Sequence, residues 1–367
     1  MTIPIYQPYF TKESMKYAHD AIDSGWLSSI GPYKQKTTEW LQNYLGVKHV
    51  LLTGNGTEAC HLTAKALQLR YPERHNLIIP NNVYVAAWNA FLYDPGFLLG
   101  PIDANYDTWN FDWKKYTEKH ESRINHWSAA IVVVHNLGNI VNVPEIQRTF
   151  PEIPVIEDAC ETFGGEYEGM KAGTAALCAS LSFFGNKTVT SGEGGAFITN
   201  DDEIYDAALR WHGQGMSDRR YVHDRLGYNY RMTNVQAAIL YGQLELLPEI
   251  MEKKNHIWQY YQNNIKAVTF QKEEPNTKHA HWMFGVCVSG NKSYEDVKVF
   301  FDAAEIETRP MFYPITEHKY LEKIRADVRI SEQLAKECFM IPCYPLLTDE
   351  ELKYIAGKVN EYGLQTI

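Results

Sequence analysis

Leu181-Ser182-Phe183-Phe184-Gly185-Asn186-Lys187-Thr188-Val189-Thr190-Ser191-Gly192-Glu193-Gly194-Gly195 carries an apolar strand into a lysine and then into a turn of small residues and glycines. A surface lysine normally stands among polar residues, whereas Lys187 follows two aromatics and precedes uncharged small side chains. Partial desolvation of its ammonium would disfavour the charged form and leave an amine able to attack a carbonyl carbon. The plain alternative is a lysine that snorkels from a strand end to water. What surrounds it decides between the two.

Working outward, Ala196-Phe197-Ile198-Thr199 follows the turn as a second apolar run. Val50-Leu51-Leu52, Leu77-Ile78-Ile79, Ala129-Ala130-Ile131-Val132-Val133-Val134, Pro154-Val155-Ile156 and Ala179-Ser180-Leu181-Ser182-Phe183 read as buried strands. Most are separated by enough chain for a crossover helix, as at Glu58–Leu69 and Glu145–Phe150. The expected fold is therefore α/β, a mostly parallel central sheet covered on both faces by helices. Near Leu244-Glu245-Leu246-Leu247-Pro248 the pattern changes to a long helical stretch. Beyond it, Trp282–Val288 reads as a strand, and Tyr294–Ala304 and Asp349–Glu361 read as helices. The division expected is a large α/β domain over 1–245 and a smaller α+β domain over 246–367, with the N-terminal segment packing on the smaller one.

A chain of 367 residues is long enough for two cores. No apolar stretch approaches a membrane span, and Met1–Tyr6 lacks a basic segment followed by an apolar one, so a cytoplasmic location is expected. Cys60, Cys160, Cys178, Cys287, Cys338 and Cys343 form no Cys-x-x-Cys pair and read as buried thiols, neither a disulfide framework nor a zinc site. No close cluster of histidine, cysteine and carboxylate has ligand spacing, so no metal is expected. A formal net charge of −10 argues against a nucleic-acid partner, and any anionic ligand must be held by local donors.

Ligands of open α/β sheets bind beyond the carboxyl ends of the strands, where four further features fall. Thr53-Gly54-Asn55-Gly56-Thr57-Glu58 follows a strand and opens a helix, and its N–H groups would cradle a phosphate. The turn is neither a Walker loop nor a dinucleotide fingerprint, and many such turns hold nothing. Asp158 ends an apolar strand, where a carboxylate needs a partner: a salt bridge, a cap, or the protonated ring nitrogen of a cofactor, as in pyridoxal phosphate enzymes. Glu157 points to the opposite face and is the fallback. Tyr84 would offer a flat face to a ring. Phosphate cradle, stacking ring, carboxylate and lysine occur in the order of a fold-type-I pyridoxal phosphate enzyme.

The chain resembles the DegT/DnrJ/EryC1/StrS group of sugar-nucleotide aminotransferases over essentially its whole length. The resemblance rests on Ile156-Glu157-Asp158-Ala159-Cys160-Glu161, on Ser182–Lys187 with Thr190–Gly195, on Gly227-Tyr228-Asn229-Tyr230-Arg231-Met232-Thr233-Asn234-Val235-Gln236-Ala237-Ala238, and on Ile341-Pro342-Cys343-Tyr344-Pro345. It implies that Lys187 bonds the cofactor, pyridoxal 5'-phosphate, and shuttles the proton while the cofactor alternates with pyridoxamine 5'-phosphate. Asp158 would face the ring nitrogen and Tyr84 would stack on the ring. Gly56, Thr57 and Ser182 would hold the phosphate. Glu161 stands where the family often has a glutamine near the cofactor hydroxyl. Asn229 would reach the cofactor phosphate of the neighbouring subunit, which implies a homodimer with its sites at the interface. Asn81-Asn82-Val83 departs from the family's more usual Ser-Phe-Thr, as does Gly173–Cys178 from a Gly-Asp pair.

Glu307-Thr308-Arg309-Pro310-Met311-Phe312-Tyr313-Pro314 resembles the loop of the viosamine- and perosamine-forming branch, which implies amination at C4 of a nucleotide-linked 4-keto-6-deoxyhexose with L-glutamate as donor. Lysine rather than histidine at 187 favours transamination over the dehydration performed by a nearby branch. A 3-aminotransferase and a non-catalytic binding protein on the same scaffold are the alternatives. Arg210, Arg219, Arg220, Arg225 and Arg231 crowd one segment, either to meet a diphosphate or to pair with acids elsewhere. His279 and His281 read as an exposed strand-end pair, with a place lining the sugar site as the alternative, and His212 as a neighbour of the site.

Overall fold

The computed structural model describes residues 2–120, 127–291 and 293–366. In chain order the first strands are β1 (His49–Thr53), β2 (Asn76–Pro80), β3 (Leu98–Ile102), β4 (Ser128–Val134), β5 (Val155–Asp158), the short β6 (Glu166–Tyr167) and β7 (Met170–Lys171), β8 (Cys178–Ser182) and β9 (Gly195–Thr199). Seven of them form the central sheet in the order β1-β9-β8-β5-β4-β2-β3. β3, β2, β4, β5 and β8 run parallel, and β9 is antiparallel to both its neighbours. The expected mostly parallel sheet is present, and β9 reverses because only a loop joins it to β8, whereas a parallel return needs a crossover.

The strands read as continuous apolar runs because both faces are covered. Along β1, Val50 and Leu52 enter one core with Leu41, Leu181 and Leu240, while Leu51 enters the other with Leu62, Trp88 and Val132. Each such buried side chain contributes roughly 1.5–3 kcal/mol. The helices Gly56–Arg70 and Val143–Thr149 supply the two crossovers expected from sequence. β3 escapes the sequence reading because Gly100-Pro101 interrupts it. It lies at the sheet edge, where the N–H that proline lacks has no ladder to serve.

The helix Leu247–Asn264 leads into β10 (Thr269–Phe270), β11 (Thr277–Lys278), β12 (Phe284–Cys287), β13 (Arg309–Pro310) and β14 (Cys338–Ile341). A second, antiparallel sheet has the order β10-β12-β14-β13. Phe284, Phe301, Phe339, Val359 and Tyr261 pack in its core. The two main sheets thus fall on either side of residue 246, though β11 crosses over to pair with β6. Ile3 bridges Ile306, and the Ile5 N–H donates to Glu307 Oε2 at 2.9 Å, which holds the N-terminal segment on the second sheet's side. Asn81 links the two parts as well: its amide donates to the Asp327 carbonyl at 3.0 Å and its Oδ1 accepts from the Ser331 hydroxyl. One expectation needs correction. Cys287 and Cys338 are directly opposite on β12 and β14, with Cα atoms 4.0 Å apart, and are joined as a disulfide. Register, which cysteine spacing does not encode, brings them together.

Candidate active site

A cavity of about 860 Å³ opens where the parallel strands end. The turn after β1 supplies Gly56 and Thr57, the segment after β2 Tyr84, β5 and its extension Asp158 and Glu161, β8 Ser182, and the β8–β9 loop Lys187. Seven of the eight residues singled out from sequence therefore line one cavity. The eighth, Asn229, is exposed outside it, with its Oδ1 accepting from the Arg231 guanidinium at 3.0 Å.

The loop that carries Lys187 is closed at its base. The Phe183 N–H donates to the Gly194 carbonyl at 2.8 Å, and the Ser191 N–H to the Phe183 carbonyl at 3.0 Å. Gly195 lets this base sit against the β1 turn, since a Cβ there would lie 2.5 Å from the Asn55 carbonyl oxygen. Lys187 is then pinned from outside the sheet: the Tyr6 hydroxyl donates to its carbonyl at 2.5 Å, and the Trp282 indole N–H donates to the Asn186 carbonyl at 2.8 Å. Trp282 is itself held by the buried Lys254, whose ammonium donates to the Trp282 carbonyl at 3.2 Å and the Cys343 carbonyl at 2.8 Å. The Lys187 side chain is 13% exposed; its Nζ lies 3.6 Å from the centre of the Trp282 ring and 3.9 Å from Glu161 Oε1. Both neighbours attract an ammonium, so the amine is partly desolvated but not left among apolar atoms alone.

Glu161 is buried, and its Oε2 accepts the Leu137 N–H at 2.9 Å. Burial pushes its carboxyl up to about 7, against the pull of Lys187 and the Leu137 N–H. Asp158 is buried too, accepting from the Cys160 N–H at 3.0 Å and more distantly from the Ser180 hydroxyl at 3.4 Å. Among the described residues no cation pairs with it; it lines the cavity with the Cys60 thiol 3.7 Å from its Oδ2. Glu157, the alternative, turns to the far side, where it takes His135 Nε2 at 3.0 Å and three backbone N–H groups at 2.7–3.0 Å. Alternation along the strand separates the two acids.

The first turn of a helix leaves N–H groups without partners. Asn55 Oδ1 takes that of Glu58 at 2.9 Å, and those of Gly56 and Thr57 have no acceptor among the described residues. A Cβ on Gly56 would lie 2.7 Å from Ser182 Cβ and 2.9 Å from its Oγ, so glycine keeps the helix end and the Ser182 hydroxyl close together. Tyr84 is 60% exposed, with Phe312 as its ring neighbour at 6.3 Å.

Sequence reasoning missed the far wall. Trp282, Met283, Arg309, Met311, Phe312 and Tyr313 come from the second sheet and its loops. Arg309 is half-buried and forms no ion pair among the described residues. Its place in a family-like loop was the available signal. The crowded arginines lie elsewhere: none lines the cavity, and Arg210 pairs with Asp224 at 2.8 Å and Asp218 at 3.4 Å. His212 is buried against the Leu52 carbonyl at 2.8 Å, away from the cavity, and burial pulls it down to about 4. His279 and His281 are not exposed but buried, each ring 4.4 Å from that of Trp258.

A two-part α/β chain with a lysine, a carboxylate and a helix N-terminus converging at the sheet's carboxyl end has the layout of a lysine-dependent, phosphate-binding enzyme. The model of the DegT/DnrJ/EryC1/StrS aminotransferase family matches residues 8–360, and the chain belongs to that family of enzymes. It is 36% identical to the GDP-perosamine synthase of Escherichia coli O157:H7 over 365 residues, 98% of each chain. It is 32% identical to that of Vibrio cholerae, over 98% of this chain and 99% of the other. An aminotransferase of Helicobacter pylori involved in pseudoaminic acid biosynthesis shares the fold, with a TM-score of 0.88 at 23% identity over 100% and 99% of the two chains. Among the described residues no helix is long and apolar enough to cross a membrane.

Proposed function

We propose that the protein is a pyridoxal 5'-phosphate-dependent aminotransferase that converts a nucleotide-linked 4-keto-6-deoxyhexose to the 4-amino-4,6-dideoxyhexose, with L-glutamate as amino donor, in the cytoplasm. The observation that carries this is the convergence of Lys187, Asp158 and the Gly56 turn on one cavity, in a chain 36% identical to a GDP-perosamine synthase. The residues fit the cofactor: Asp158 offers a buried carboxylate without a cationic partner among the described residues to a protonated ring nitrogen, and Gly56 with Thr57 and Ser182 offers N–H and hydroxyl donors to a phosphate. Bound there, pyridoxal phosphate supplies an aldehyde for the amino group and a ring that accepts electrons from a carbanion.

In this reading Lys187 Nζ takes a proton from the donor carbon and returns one to the sugar carbon. Glu161, in reach of Lys187, sits beside that proton path, and Tyr84 covers the ring. Arg309 is a cation placed for the carboxylate of the donor or the diphosphate of the acceptor. The working unit is a homodimer. Lys34 and Arg231 have no acidic ion-pair partner among the described residues, and burial with the Arg231 charge pulls Lys34 down to about 8. With Asn229 they form a basic edge suited to a phosphate from the neighbouring subunit. Trp26, Leu27 and Ile30 are exposed beside it, the Trp26 carbonyl accepting from the Asn234 amide at 2.7 Å.

The test is purified protein with pyridoxal phosphate, L-glutamate and a panel of GDP-, dTDP- and UDP-linked 4-keto-6-deoxyhexoses, alongside 3-keto sugar nucleotides, read by mass spectrometry. Mass gain for a 4-keto substrate, abolished in a folded Lys187→Ala variant, is expected. Amination confined to 3-keto substrates, or full activity in Lys187→Ala, refutes the proposal.

A further inference from the structure

Two thiols flank Asp158 that the aminotransferase reading does not use. Cys60 lies on the helix Gly56–Arg70 and Cys160 two residues beyond Asp158. Cys60 Sγ is 3.7 Å from Asp158 Oδ2 and 3.2 Å from Ser180 Oγ. The two sulfurs and a carboxylate oxygen of Asp158 all lie within 4.8 Å of one another, and Cys60 and Cys160 both line the cavity. The pair is invisible as spacing, because its members come from different elements, a helix and the segment after a strand, 100 residues apart.

The three groups lie within reach of a single coordination shell. A tetrahedral ion held at about 2.3 Å from sulfur and about 2.1 Å from oxygen requires S···O of about 3.6 Å and S···S of about 3.8 Å. The observed 3.7 Å between Cys60 and Asp158 meets the first without movement. Two sulfurs and one oxygen select a thiophilic cation over magnesium or calcium. All three groups line the cavity, which would leave a fourth position open to water.

We propose that Cys60, Cys160 and Asp158 bind a thiophilic divalent cation, of the zinc and cadmium class, and that this binding competes with the pyridoxal cofactor. The inference of competition rests on the placement of Asp158 against the cofactor's ring nitrogen. Binding is a ligand exchange: two metal–sulfur bonds replace two S–H bonds, both protons leave to solvent, Asp158 contributes its existing charge, and nothing is oxidised or reduced. The site thereby acts as an inhibitory switch that takes the cofactor's carboxylate.

The test titrates the full chain, stripped of cofactor and kept under a non-thiol reductant, with cadmium, following the ultraviolet thiolate-to-cadmium absorption. One equivalent per chain is expected. The signal should fall by about half in Cys60→Ser and in Cys160→Ser, each checked for fold by circular dichroism, since each retains one of two thiolates. Prior loading with pyridoxal phosphate should weaken cadmium binding at least tenfold. No signal in the wild type, an undiminished signal in the double serine variant, or unchanged cadmium affinity after visible cofactor loading overturns the proposal. A chain that binds cadmium through these thiols but takes up no cofactor supports the metal site and instead removes the proposed function.

Discussion

Replacing Glu161 with glutamine and comparing stability at two pH values tests whether this buried acid is tuned as the geometry demands. In the cofactor-free protein burial raises its carboxyl from an ordinary 4.5 to about 7. Between those values the native chain holds a proton that the unfolded chain has released, so stability falls as pH rises, by about 1.4 kcal/mol per unit. Below the lower value both states are protonated and the stabilising term is fully present; above the upper one it is lost. Glutamine keeps an oxygen for the Leu137 N–H but cannot ionise. Between pH 5 and pH 8 the stability of Glu161→Gln relative to wild type should therefore rise by roughly 2.5 kcal/mol, the integral of that slope between the two states. Urea denaturation followed by far-ultraviolet circular dichroism measures it, and the other titrating groups are common to both proteins and cancel. A relative stability constant to within about 0.5 kcal/mol, the usual scatter of independent sites, would refute the reasoning.

Gly56→Ala forces a Cβ to within 2.7 Å of Ser182 Cβ and should cost about 1–3 kcal/mol of stability. It should also weaken cofactor retention at least about tenfold, as read by spectral titration. Trp282→Leu removes both the ring face 3.6 Å from Lys187 Nζ and the donor to Asn186. A loss of about 1–2 kcal/mol of positioning should lower kcat roughly tenfold with KM little changed. If the proposed homodimer and the role of Lys187 hold, mixing Lys187→Ala chains with Asn229→Asp chains should restore about a quarter of the wild-type activity, because random pairing of a twofold dimer makes half the dimers mixed and each holds one intact site. No recovery, in a mixture that exchanges subunits, would place Asn229 outside its neighbour's site.

How much was legible follows from where the relevant forces act. Six strands of the central sheet stand out because burial on both faces makes each a continuous apolar run, and alternation separates Asp158 from Glu157. Local signals also locate the Gly56 turn and the Lys187 loop, since each must accommodate a close approach within a few residues. β3 was hidden by the Gly100-Pro101 that edge position tolerates. Trp282 and Arg309 were hidden for a different reason: the packing of a separate sheet brings them to the cavity. The burial of His279 and His281 and the Cys287–Cys338 pairing are likewise consequences of tertiary packing and register, on which a short window of sequence is silent.

The placement of Lys187 joins these scales. Its loop is closed locally on Phe183, but its carbonyl is held by Tyr6, 181 residues away, and its neighbour Asn186 by Trp282, 96 residues away. Lys254, itself bonded to the Cys343 carbonyl, in turn holds the Trp282 carbonyl. The Lys187 amine thus acquires its final surroundings only when the N-terminal segment and the second sheet have both docked on the first. Covalent capture of the cofactor should follow assembly of both parts of the chain rather than folding of the central sheet alone. A refolding experiment in which the cofactor signal preceded burial of Trp282 would show that the local loop suffices to poise Lys187, and that Tyr6 and Trp282 only cover it.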